Sequence, residues 1–173
     1  MAERRTRRAP NPGRVLNYST TIDPQKSVNE IQAVLVAHGA RRFTLMYDDD
    51  RKIDGIHFTL DVNGTERAFE IKANWQQVRK RLIENHNKGK RSYQRGYWED
   101  KPGSWSHSVP ATVDDQSKRV AWRVLKDAVE VMVNLVSAGI ADVGQVFFGF
   151  GVLDSGLTIY EAFVEDQKAL PGA

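Results

Sequence analysis

Cationic and aromatic side chains alternate along one stretch of the sequence, from Arg79 to Trp105. Phosphate groups attract cations, and unpaired bases stack on aromatic rings, so this composition is typical of proteins that bind single-stranded nucleic acid. We therefore expect the cations to contact phosphates and the aromatic rings to stack on bases. The candidate phosphate contacts are Arg79, Lys80, Arg81, Lys88, Lys90, Arg91 and Arg95, and the candidate stacking residues are Tyr93, Tyr97 and Trp98.

Much of this stretch belongs to a long segment, about residues 85–113, that has no hydrophobic periodicity and carries several glycines and prolines. Irregular segments longer than about 15 residues in a compact domain are usually functional or disordered, and plain disorder rarely keeps so many aromatic residues. We interpret the segment as a loop that contacts a partner. Its aromatic rings could instead pack back on the domain, or they could anchor a host protein, because aromatic residues dominate many protein interfaces.

The composition limits the class of protein. The chain has 173 residues, enough for one domain with a sizeable core, and its net charge of +3 is small. It contains no cysteine, which excludes disulfides and thiolate metal sites. No apolar run reaches the roughly 18 residues of a membrane span. We expect a cytoplasmic protein with no membrane contact, no cofactor and no metal.

Positive charge is concentrated at the N-terminus as well as in the stretch after Arg79. Residues 1–14 contain five arginines, with alanine, proline and glycine among them, and few side chains suited to a core. The pattern predicts a mobile basic arm, followed by a single domain over residues 15–173. The arm could bind phosphates or act only as a solubilising tail, and charge alone does not choose between these roles.

An antiparallel sheet is predicted in the first half of the domain. Asn63-Gly64 separates two alternating runs, Ile53 to Val62 and Thr65 to Lys72, which is a strong signal for a tight hairpin. A two-residue turn fixes the register and places apolar residues on one face and polar residues on the other. The pairs expected on the buried face are Phe58 with Phe69 and Ile56 with Ile71, and those on the polar face are His57 with Glu70, Thr59 with Ala68 and Asp61 with Glu66.

Helices and two further strands complete a predicted α+β fold, in which an antiparallel sheet of at least three strands packs against several helices. Ser27 and Glu30 have the spacing of a capping box and predict a helix that ends at Gly39. Asn74 is placed to cap a second helix. Two further strands are expected at Asn17 to Ile22 and Arg42 to Tyr47. A long helix is expected at Gln116 to about Ala138; its apolar stripe is Val120, Val124, Ala128, Val131 and Leu135, and its exposed side carries Lys118, Arg119, Arg123, Lys126 and Asp127. The aromatic residues expected in the core are Phe147, Phe148, Phe150, Tyr160 and Phe163. The broad apolar face of the long helix could also serve a homo-oligomer interface.

An enzymatic interpretation involves Glu30, Asp54, Glu70 and Lys72. A Glu-x-Lys sequence on a strand, with an acidic residue on the preceding helix, resembles the core of the PD-(D/E)xK metal-dependent nucleases. That family requires a second carboxylate beside the Glu-x-Lys pair, because converging oxygens hold the divalent cation. By strand alternation Asp54 points to the buried side unless a bulge at Gly55 re-aims it, and Asp61 lies about 13 Å from the level of Glu70. We therefore expect a solvated cluster of polar side chains here and no catalytic residue.

Three segments together resemble a known group of proteins: Tyr18-Ser-Thr-Thr-Ile22, the helix from Ser27 to Gly39, and Arg119-Val-Ala-Trp-Arg-Val-Leu-Lys126. In combination they are similar to small, largely uncharacterised proteins carried by phages and other mobile elements. The similarity covers most of the chain, and it implies a phage or mobile-element context rather than an activity.

Overall fold

The computed structural model describes residues 15–90 and 113–169, and it has the α+β architecture expected from the sequence. The described elements are α1 (Pro24–Ala37), β1 (Arg41–Tyr47), β2 (Ile53–Val62), β3 (Thr65–Lys72), α2 (Trp75–Lys90), α3 (Val113–Ser137), α4 (Val143–Phe147), a 3-10 turn (Phe148–Phe150) and α5 (Ile159–Ala169). The predicted arm, residues 1–14, and most of the predicted loop, residues 91–112, lie outside the described residues. None of the described helices is both long enough and apolar enough to cross a membrane.

The three strands form one antiparallel sheet in the order β1-β2-β3. Asn63 and Gly64 have φ values of 53° and 81°, the left-handed conformation that a two-residue hairpin turn of this kind requires. The register of β2 with β3 is the predicted one, with Phe58 opposite Phe69 and His57 opposite Glu70. The turn residues and the alternation of apolar side chains are therefore sufficient to specify which face of the hairpin is buried.

The apolar face of the sheet packs against α1, α3 and α4. Phe58 stacks on Phe69 with 5.7 Å between ring centroids, and Phe147 of α4 contacts both rings edge-on. Trp122 of α3 is fully buried, and its indole N–H donates to the carbonyl of Ile53 at 3.2 Å. Burial of a large apolar side chain stabilises a fold by about 1.5–3 kcal/mol. These contacts hold α3 and α4 on one side of the sheet, and Val28, Ile31 and Leu35 of α1 belong to the same core.

The prediction of a strand at Asn17 to Ile22 is wrong. The backbone turns there, and the N–H of Thr20 donates to the carbonyl of Asn17. The side-chain amide of Gln116 on α3 donates to the carbonyls of Tyr18 and Thr20, at 3.0 and 2.9 Å. The Gln116 side chain thus binds carbonyls that a neighbouring strand would otherwise bind. Gln116 is 96 to 98 residues away in the sequence, so no local pattern indicates this contact.

Helix α1 begins earlier than the capping-box pattern predicts. Asp23 is the N-cap, its carboxylate accepts a hydrogen bond from the N–H of Gln25 at 2.8 Å, and Pro24 lies in the first turn. Proline is favoured at this position because its fixed φ suits the helix and its missing N–H would be unpaired anyway. Ser27 is fully buried within the helix, so Ser27 and Glu30 are not the cap of α1.

The predicted long helix is present as α3, but its buried face differs from the predicted stripe. Val120 is fully buried, whereas Val131 is 60% exposed. The buried side chains in the second half of α3 are instead Val129 and Val133. Helix α3 contacts α2 near its start and the core of the sheet further along, so its buried face rotates along the helix and a single stripe does not describe it.

The prediction that the late aromatic residues belong to the core is partly wrong. Phe147 is 1% exposed and Phe150 is half-buried, but Phe148, Tyr160 and Phe163 are between 59% and 65% exposed. Helix α5 packs mainly on the 3-10 turn, so much of its circumference faces solvent. Helical periodicity alone cannot show how much of a helix at the edge of a domain meets the core.

Candidate nucleic-acid interface

Helix α2 carries the first of the predicted phosphate contacts, and its packing determines which side chains reach solvent. It starts at Trp75, after Asn74 in a left-handed conformation with a φ of 44°. Leu82 is 2% exposed, and Val78 is half-buried against the core. The ammonium of Lys118 on α3 lies over the Trp75 ring, 4.7 Å from its centroid. One side of α2 is therefore held against α3, and the other side is open.

Three cations of α2 have described side chains, and their surroundings differ. Arg79 pairs with the Asp114 carboxylate at the start of α3, with 2.6 Å between Nε and Oδ1. Arg81 lies 3.1 Å from Glu84 of the same helix, in an exposed pair that contributes little to stability. Lys80 is exposed to solvent. Lys80 and Arg81 thus remain accessible to an anion, whereas Arg79 helps to hold α2 on α3.

The other candidate residues are placed only in part. Lys88 and Lys90 belong to the last turns of α2, and their side chains are outside the described set. Five of the seven candidate cations therefore share one helix. The residues that lie wholly outside the described ranges are Arg91, Tyr93, Arg95, Tyr97 and Trp98. Their roles stay predictions.

Positive charge is unevenly distributed between the elements. Helix α2 contains five lysines and arginines and one carboxylate, whereas residues 113–173 contain five lysines and arginines and nine carboxylates. A helix with this excess of cations produces a local positive potential that attracts phosphate groups. The small net charge of the whole chain hides this separation.

The prediction that the cations of α3 lie on its exposed side is wrong for Lys118, Arg123 and Lys126. The Lys126 side chain is only 11% exposed and lies beside Asp127 and Glu130 of the same helix. Lys118 Nζ lies 3.0 Å from Asp48, and Arg123 Nη1 lies 2.6 Å from Glu30. Only 13% of the Lys118 side chain and 20% of the Arg123 side chain are exposed. A hydrogen bond from the backbone N–H of Lys52, together with the Lys118 ammonium, lowers the pKa of Asp48. Lys118 and Arg123 stabilise the packing of α3, because they are paired with carboxylates inside the fold.

The polar face of the sheet carries an ion-pair network that joins β3 to α5. Lys72 Nζ lies 2.9 Å from Glu70 and 2.8 Å from Glu161. The Lys72 ammonium, followed by the N–H and hydroxyl of Thr158, lowers the pKa of Glu161 to about 2, and Glu161 in turn raises the pKa of Lys72. Lys72 is thus a structural link between the sheet and α5, rather than a member of the freely solvated cluster expected from the sequence.

The residues of the nuclease interpretation do not converge in the described parts of the chain. Glu30 lies on α1 and pairs with Arg123, whereas Glu70 lies on the polar face of the sheet, so the sheet separates the two carboxylates. Asp54 is half-buried near the start of β2. Within residues 15–90 and 113–169, no group of three or more histidines, aspartates and glutamates is arranged to hold a metal ion.

Sequence patterns missed two features, the partners of the α3 cations and the exposure of two aromatic residues of α5. The partners of Lys118 and Arg123 are 70 and 93 residues away in the chain, so no local spacing indicates them. The exposure of Tyr160 and Phe163 was also missed. The available signal was Asp166, which follows Phe163 by three residues and therefore lies on the same side of α5.

The described elements define an α+β domain in which a basic helix, α2, is open on one side. The chain matches no protein-family model, no curated protein and no solved structure. Its contacts and charges are therefore the basis for assigning a function.

Proposed function

We propose that this protein binds nucleic acid, with a preference for single strands, and does not catalyse a reaction. The observation that carries the proposal is the excess of cations on α2. Lys80 and Arg81 lie on the open side of this helix, while cations of α3 are paired within the fold. The basic sequence continues from α2 to Arg95, so a phosphate backbone would meet a long run of cations.

The preference for single strands depends on the aromatic residues that follow α2 in the sequence. Tyr93, Tyr97 and Trp98 alternate with Arg91 and Arg95. Each base that stacks on an aromatic ring contributes about 1–3 kcal/mol, and the bases of a duplex are already stacked on one another. We place the protein in the cytoplasm, in the phage or mobile-element setting that its three similar segments imply.

Fluorescence anisotropy with labelled single-stranded and duplex oligonucleotides tests this proposal. The titrations are run across a salt series, with and without magnesium. We expect tighter binding to the single strand and an affinity that falls steeply with salt, because binding releases counterions. Absence of binding at low salt would contradict the proposal. Magnesium-dependent cleavage of the labelled oligonucleotide would instead indicate a nuclease.

Two lysine variants separate a local contact from a general loss of charge. Lys80→Ala removes a cation from the open side of α2, and Lys26→Ala removes an exposed cation from α1. We expect Lys80→Ala to weaken single-strand binding about two- to fivefold, as for the loss of one phosphate contact. Lys26→Ala should bind like the unmodified protein. Equal effects of the two variants would show that only net charge matters.

A host protein bound by the same aromatic segment would give a different result. Replacing Tyr97 and Trp98 by alanine would then abolish a protein complex with little dependence on salt, since aromatic anchors dominate such interfaces. Under our proposal the same double variant weakens single-strand binding at least about thirtyfold and leaves duplex binding nearly unchanged, because only the stacking contribution of two rings is lost.

A further inference from the structure

A second surface of the molecule has the opposite charge from α2. Residues 138–169 contain five carboxylates and a single cation, Lys168. Three aromatic side chains of this region, Phe148, Tyr160 and Phe163, are 63%, 65% and 59% exposed. Exposed apolar residues that lie together, with polar residues around them, usually mark an interaction site.

These side chains lie on two elements that pack against each other, the 3-10 turn and α5. Tyr160 and Phe163 are three residues apart on α5, so they lie on the same side of the helix. The backbone of Gly149, next to Phe148, approaches Tyr160 so closely that a Cβ on this glycine would lie 3.8 Å from the Tyr160 Cβ. Glu161 points away from this side, to Lys72 of β3. The aromatic side of α5 is thus open to solvent beside the 3-10 turn.

Phe148 also lines an open groove of about 750 Å³ between the β2-β3 hairpin and α4. Its lining includes the apolar side chains of Val62, Val136 and Val143 and the carboxylates of Asp61 and Asp142. Of the described residues that line it, none is a lysine or an arginine. We call the groove, the three aromatic residues and Asp166 the acidic aromatic surface.

The charge of this surface selects its partner. Carboxylates repel phosphates, so the exposed aromatic rings here are poorly suited to stacking on nucleic acid. Arginine suits both the rings and the carboxylates of this surface, because a guanidinium stacks on aromatic rings and pairs with carboxylates. The valines that line the groove favour apolar side chains in the partner as well.

We propose that the acidic aromatic surface docks a segment of a partner protein in which arginines alternate with apolar residues. The arginines lie over Tyr160 and Phe163 near Asp166, and the apolar residues enter the groove beside Phe148. This surface lies on elements other than α2, so its role does not depend on nucleic-acid binding.

A short fluorescein-labelled peptide of alternating arginine and leucine tests this proposal by anisotropy, with a glutamate and leucine peptide for comparison. We expect the full-length protein to bind the first peptide and not the second. Replacing Tyr160 and Phe163 by alanine should weaken binding about tenfold, since exposed aromatic anchors carry much of the energy of such contacts. Thermal unfolding of this variant should match that of the unmodified protein, because both side chains are exposed.

Two charge variants on α5 provide a matched pair. Asp166→Asn should weaken peptide binding about two- to threefold, because it removes a carboxylate beside Phe163. Glu165→Gln removes an equivalent charge from a position that does not face Phe163 and should have no effect. Equal binding of both peptides, or binding unaffected by all of these substitutions, would overturn the proposal. Concentration-dependent self-association that is lost in the aromatic variant would overturn it too, by showing that a second copy covers the surface.

Discussion

Helices α2 and α3 are both rich in cations, but their cations have different surroundings. On α3, Lys118 and Arg123 are mostly buried and lie within 3.0 Å of carboxylates from the β1-β2 turn and α1. On α2, Lys80 is exposed, and Arg81 lies beside a half-buried glutamate of its own helix. A lysine or arginine is therefore available to a ligand only where the fold does not already supply its counter-charge, and the number of charges in a helix does not reveal which case applies.

Lys118→Ala should produce the largest change in stability. It removes the ion pair with Asp48 and the contact with the Trp75 ring, and we expect the free energy of unfolding to fall by about 2 kcal/mol. Urea unfolding measures this change. Single-strand affinity should stay the same, and a loss of affinity at unchanged stability would show that α3 also binds phosphates.

Arg79→Ala tests a cation of α2 that, like Lys118 and Arg123 of α3, is paired with a carboxylate. Its pairing with Asp114 joins α2 to α3 across partly exposed side chains, so we expect a loss of about 1 kcal/mol in the free energy of unfolding. Affinity for single strands should fall less than twofold. A large loss of affinity without destabilisation would instead assign Arg79 to the phosphate-binding group.

The pair formed by Lys72 and Glu161 extends the comparison to the sheet. The pKa of Glu161 is about 2 in the folded protein, below its ordinary value of 4.5, so its contribution is present above pH 4.5 and is lost as the pH falls toward 2. The side chain is 35% exposed, and solvent screening limits the effect to about 1 kcal/mol. Glu161→Gln should remove this acid-dependent loss of stability in thermal unfolding, whereas Glu165→Gln on the same helix should keep it.

Glu84→Gln should give the smallest effect and the opposite sign. It removes the carboxylate 3.1 Å from Arg81 and leaves this guanidinium free for a phosphate. We expect single-strand affinity to rise about twofold at low salt, with stability unchanged within about 0.5 kcal/mol. A fall in affinity would show that Glu84 orients Arg81 for binding.

The sheet could be predicted closely from the sequence because its signals are local. Asn63 and Gly64 adopt the conformation of a tight turn, and the alternating residues of β2 and β3 then specify the pairing of Phe58 with Phe69. The start of α1 could not be predicted as well, because Asp23-Pro24 is compatible with either a turn or a helix start.

Features that depend on distant residues were not predictable from local patterns. Gln116 binds the backbone of Tyr18 and removes the need for a strand there. The pairing of Lys118 with Asp48 and the exposure of Tyr160 likewise depend on how α3 and α5 pack on the rest of the domain. The cations of α2 are visible in the sequence as candidate phosphate contacts. Only their contacts in the fold show that Arg79 is paired with Asp114 whereas Lys80 is exposed.

The dependence of single-strand affinity on salt tests the role of α2 most directly. We would measure the slope of log affinity against log salt for the unmodified protein and for the variant in which Lys80 and Arg81 are both alanine. Each lost phosphate contact reduces the slope by about 0.7 on a single strand, so the double variant should have a slope shallower by about 1.4. The same slope in both proteins would contradict the assignment of α2 as the phosphate-binding element.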